Sequence, residues 1–90
     1  MTRIKPGSLK CVVLASPDDR AEVLQTLIDR IGGDGVRPFG ASTVLVHADE
    51  EPSTVRDWLS GAGGMLVVEF EIWSGRGAEV PKEWLLARGH

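Results

Sequence analysis

Few side chains in this sequence are of types that do chemistry, and their spacing narrows what each can do. His47 and Asp49 stand two apart, so on a continuous strand they share a face, and the carboxylate would orient the imidazole for general-base work. No serine or cysteine nucleophile accompanies them, and the simpler reading is a strand-end histidine beside a helix-entry acid. Asp18 and Asp19 are adjacent carboxylates, the donor type that hard cations such as Mg²⁺ prefer. They also follow Ser16-Pro17, a helix-start signature in which acids favour the positive end of the helix dipole, and this structural role already accounts for them. Catalytic residues are therefore expected to be none, with Asp18, Asp19 and His47 the candidates to check. Cys11, the single cysteine, sits within an apolar run and reads as a small core side chain. One cysteine allows no internal disulfide, which agrees with a reducing compartment.

The remaining polar signals point to structure before function. The 11 glycines cluster in Gly32-Gly33-Asp34-Gly35 and Gly61-Ala62-Gly63-Gly64, but neither cluster leads into the Lys-Ser or Lys-Thr of a phosphate loop, and both read as helix stops. Arg3, Lys5 and Lys10 make a basic N-terminal arm, which with Arg37 and Arg76 is the candidate nucleic-acid surface. Ordinary solvated charge is the competing explanation. Lys and Arg total 10 against 13 Asp and Glu, a balance that gives no steering toward nucleic acid or an anionic membrane. With no tyrosine and only two phenylalanines, an aromatic RNA-stacking platform is poorly supplied. No apolar run reaches the roughly 20 residues of a membrane span, and the polar start MTRIKPGSLK does not read as a secretory leader. A cytoplasmic location is expected.

The elements that would hold these side chains follow from periodicity. At 90 residues the chain is expected to be one domain, with residues 1–8 an N-terminal arm and residues 78–90 a C-terminal docking segment. Leu9 to Ala15 and Ser42 to Ala48 carry apolar groups on both alternation faces, as interior strands do. Between them, Leu24, Leu27, Ile28 and Ile31 recur at helical spacing, and Val36-Arg37-Pro38-Phe39 reads as a short edge strand because proline cannot donate to a ladder. Pro52 opens a second helix carrying Val55, Trp58, Leu59 and Ala62. Met65 to Trp73 then alternates, with Leu66, Val68, Phe70 and Ile72 on one side and Met65, Val67, Glu69, Glu71 and Trp73 on the other. Pro81 begins a terminal segment in which Trp84 and Leu85 form about two helical turns.

This order predicts an α+β fold, a ferredoxin-like βαββαβ sandwich with a four-stranded antiparallel sheet, two helices on one face and a short C-terminal segment. Two helices shield one face only. The other would carry Met65, Val67 and Trp73, a patch too apolar to leave in water, so a second copy of the chain, the C-terminal segment, or both should cover it. Met65, Val67, Trp73 and Trp84 are therefore the expected interface residues of a homodimer.

VVLASPDDRAEVLQTLIDRIGG, STVLVHAD and VRDWLSGAGGMLVVEFEIW together resemble the small CRISPR-associated integration-subunit nuclease family and its non-CRISPR SinR-like relatives. The resemblance implies a dimer of ferredoxin-like domains and, in some members, a Mg²⁺-dependent phosphodiesterase built on an aspartate at the end of the first strand. That position falls on Ala15 here, and a methyl group binds no metal. The expectation is a non-catalytic, homodimeric interaction domain without a cofactor. The alternatives are a metal-dependent nuclease using displaced acids, with Mg²⁺ as its cofactor, and a small-molecule-binding regulatory domain.

Overall fold

A computed structural model describes residues 8–87. Strand β1 (Ser8–Leu14) leads through a 3₁₀ turn, Pro17–Asp19, into helix α1 (Arg20–Ile31). Ser16 starts the turn as expected: its hydroxyl accepts a hydrogen bond from the Asp18 N–H at 3.2 Å, and Pro17 occupies the position where no N–H is needed. Gly32 ends α1 at φ +91°, a conformation open to glycine, and a second 3₁₀ turn, Gly33–Gly35, delivers the chain to the short strand β2 (Val36–Pro38). Strand β3 (Thr43–Ala48), helix α2 (Pro52–Trp58), strand β4 (Met65–Phe70) and helix α3 (Lys82–Ala87) complete the order.

The four strands form one antiparallel sheet in the order β2-β3-β1-β4. β1 and β3 are the interior strands, as their two-sided apolar character requires. Val12, Leu14, Val44, Val46 and Ala48 meet Val23 and Leu27 of α1 and Val55 of α2 in the larger core. Val23 was not among the residues picked out by spacing, yet it is buried one turn before Leu27 on the same stripe. On the opposite side, Leu9 and Leu45 are buried with Trp84 and Leu85. The C-terminal segment thus supplies cover for the second face, as the apolar strands demanded.

Two boundaries and the orientation of one strand differ most from the sequence reading. α2 stops at Trp58, one residue before the buried Leu59, because the chain turns at once into the glycine cluster. β4 ends at Phe70, and residues 71–81 cross to α3 without regular structure. The most consequential difference is the orientation of β4. Met65 and Val67 stand opposite Leu14 and Val12 in the ladder, and opposed residues project to the same face, so both pack against the helix-side core. They do not line the second face; Leu66, Val68 and Phe70 do. Alternation alone does not say which set is inward, and the inward one includes Glu69, whose charge Lys10 balances.

Candidate functional site

Most of the chemistry-bearing residues have structural employment. Asp19 accepts a hydrogen bond from the Gly63 N–H at 3.0 Å and so ties the entry of α1 to the loop before β4, while Asp18 is exposed. Ala15 stands at the junction between them, its N–H donating to the Gly64 carbonyl at 2.8 Å. Among the described residues no group of three or more His, Cys, Asp or Glu side chains is placed to hold a metal ion. His47 is half-buried opposite Leu9, but the strand stops at Ala48, so Asp49 falls outside the alternation that was to place it beside the imidazole.

The described basic candidates differ in exposure. Lys10 belongs to β1 and is fully buried; its ammonium donates to the Ala48 carbonyl at 2.8 Å and to the Ser8 hydroxyl at 2.7 Å, with Glu69 at 3.7 Å. It is sequestered from any phosphate, which removes it from the nucleic-acid candidates. Burial pushes its pKa below the ordinary lysine value, and the carboxylates of Glu69, Glu50 and Asp49 oppose that shift. Arg37 is exposed with its guanidinium 6.0 Å from the centre of the Trp84 ring, and Arg76 is exposed in the crossing segment. Arg3 and Lys5 lie outside the described residues.

Trp84 is an anchor within its own chain. Its indole N–H donates to the Asp34 carbonyl at 2.7 Å, and its ring is buried with Leu9 and Leu45 of its own sheet. Trp73 packs at the margin of the same cluster. Two features remain that the sequence reading missed. The first is the outer edge of β4: no described strand pairs with it, and on the second face beside it Leu66 and Val68 are 61% and 42% exposed, next to Val13 at 39%. On its other face a groove between α2 and β4 is lined by Pro52, Arg56, Met65 and Val67. Only the pairing of Glu69 with Lys10 in the folded ladder reveals this orientation. The second feature is an apolar cavity between the sheet and the C-terminal segment, lined by Cys11, Phe39, Leu45, Phe70, Trp73 and Leu85 among others. Burial raises the Cys11 pKa, so its sulfur stays a neutral thiol.

No known protein family, curated protein or solved structure matches this chain. No helix among the described residues is long and apolar enough to cross a membrane.

Proposed function

We propose that this chain is a non-catalytic, ferredoxin-like interaction domain that self-associates along the β4 edge. The antiparallel order β2-β3-β1-β4, with a helix in each of the two crossovers, supports the ferredoxin-like reading. Placing Ala15 where the resembling nucleases carry an aspartate supports the non-catalytic one.

The observation that carries the proposal is the contrast between the two sheet edges. β2 is three residues long and ends in Pro38, devices that discourage further pairing. β4 is six residues long, contains neither proline nor lysine, and has its one charge drawn toward the buried Lys10. Its outer backbone groups need partners, and exposed Leu66 and Val68 need cover. A second copy meets both needs at once. A two-fold axis through the β4 edge pairs the strand antiparallel with itself, sets the Leu66 and Val68 rows side by side and continues the sheet across the molecule.

The test is light scattering across micromolar concentrations on the wild type and on Leu66→Lys with Val68→Lys. The wild type should approach twice the 9.7 kDa chain mass and the variant should return to one. Both side chains already face solvent in the single chain, so the variant should retain its fold. A wild type that stays monomeric at every concentration overturns the proposal, as does a doubly charged variant that dimerises equally well.

A further inference from the structure

We propose that the cavity between the sheet and the C-terminal segment is a binding site for a small, uncharged, apolar molecule of one or two rings. It is separate from the β4 edge, and nothing in the self-association reading depends on it.

The sheet contributes Cys11, Leu45 and Phe70 to its floor, and the crossing segment contributes Trp73 and Val80 with Leu85 of α3 to its roof. The space measures about 180 Å³. The pocket is partly open to solvent, and its volume is close to the roughly 150 Å³ of apolar cavities that take up benzene, so it suits a single aromatic ring or a small fused pair. Its apolar walls face solvent through the mouth, and an apolar ligand would replace that water with packed contacts.

The lining also decides the ligand's chemistry. No charged side chain borders the space, and its polar groups are few, chiefly the Cys11 thiol and Ser74. A carboxylate, phosphate or ammonium entering it would lose its hydration without gaining a counter-charge. A neutral ring has no such penalty. The roof offers a route in, because residues 71–81 cross from β4 to α3 without regular structure. A bound molecule would touch sheet and segment together and so favour the docked position of the segment.

The experiment uses the full chain with benzene, indole and benzoate as probes. Calorimetry and amide-resolved NMR should show saturable binding of benzene or indole, with the largest shifts at Cys11, Leu45 and Leu85. Alkylation of Cys11 by N-ethylmaleimide should slow as the neutral probe saturates. Benzoate should bind about tenfold or more weakly, because its charge must be desolvated. Cys11→Leu, which fills the floor with methyl groups, should abolish binding while retaining the wild-type circular dichroism spectrum; if that variant does not fold, the benzene-to-benzoate comparison on the wild type decides alone. Absence of saturable binding by either neutral probe, equal affinity for benzoate, or unchanged affinity in a folded Cys11→Leu protein overturns the proposal.

Discussion

Lys10 and Glu69 stand opposite one another in the β1–β4 ladder on the side of the sheet that the helices cover, with Nζ 3.7 Å from Oε1. Glu69 keeps 46% of its side chain exposed, whereas the lysine is sealed off and completes its hydrogen bonding with Ala48 and Ser8. The pair is therefore unequal. Removing the glutamate leaves a hydrogen-bonded ammonium close to solvated carboxylates, and Glu69→Gln should cost no more than about 1 kcal/mol. Removing the lysine stem leaves a hole and two acceptors without their donor, so Lys10→Ala should cost about 2–4 kcal/mol. Lys10→Met keeps the volume and removes the buried charge but leaves the same two acceptors without their donor, so it should cost less than Lys10→Ala, about 1–2 kcal/mol. Denaturant midpoints of the three variants check this ranking.

The same burial gives Lys10 a pH signature. Its folded-state pKa lies below the ordinary value of 10.5, so between the two values the unfolded chain binds more protons than the folded one. Stability contributed by this group should accordingly rise with pH through that alkaline window and level off above it. Comparing urea midpoints of wild type and Lys10→Met from neutral pH upward isolates the effect. A wild-type curve parallel to that of the methionine variant would show that the group does not titrate differently on folding.

Trp84 fastens the C-terminal segment by two means, a buried ring and one hydrogen bond to Asp34. Trp84→Phe keeps most of the ring and loses the bond, for an expected cost of about 1 kcal/mol. Trp84→Ala should cost about 3–5 kcal/mol and release α3, uncovering Leu9 and Leu45. Thermal melting ranks the two variants, and a dye that binds exposed apolar surface should respond to the alanine variant alone.

How far the sequence disclosed this arrangement depends on how local each signal was. The Ser16-Pro17 start of the first helical turn, the Gly32 stop and the two-sided apolar strands were legible because each rests on a few neighbouring residues. The need for cover on the second face was legible too, since two helices cannot shield both sides of a sheet. Which side chains of β4 needed that cover was not. Alternation gives two sets without saying which is inward, and the inward set includes Glu69, whose charge Lys10 balances from the neighbouring strand. Lys10 itself looked like part of a basic arm because burial of a lysine depends on partners 38 and 59 positions away, Ala48 and Glu69. The cavity and the free edge are products of tertiary assembly and left no pattern in the chain.

Asp19 separates a structural acid from a catalytic one. Its carboxylate accepts the Gly63 N–H at 3.0 Å and thereby links two loops that are 44 positions apart. Asp19→Ala should lower stability by about 1 kcal/mol, whereas Asp18→Ala at an exposed position should remain within about 0.5 kcal/mol of wild type. Millimolar Mg²⁺ should leave the wild-type melting temperature unchanged. A Mg²⁺-dependent rise that disappears in the Asp19 variant would instead assign this carboxylate to a metal.

Gly32 and Gly33 are adjacent, exposed and identical in composition, yet they should respond oppositely to a methyl group. Neither has an atom within 4 Å of where a Cβ would sit, so crowding does not distinguish them. Backbone conformation does. Gly32 lies at φ +91° and ψ 154°, a region that side chains bearing a Cβ essentially never enter, and it holds that shape because α1 must stop and turn back toward β2 within a few residues. Gly32→Ala should therefore cost about 1–3 kcal/mol. Gly33 has no positive φ and opens a 3₁₀ turn, so Gly33→Ala should be neutral or stabilise by up to about 1 kcal/mol by restricting the unfolded chain. Melting temperatures measured side by side check the pair, and equal losses in both would mean that the turn after α1 does not depend on the Gly32 conformation.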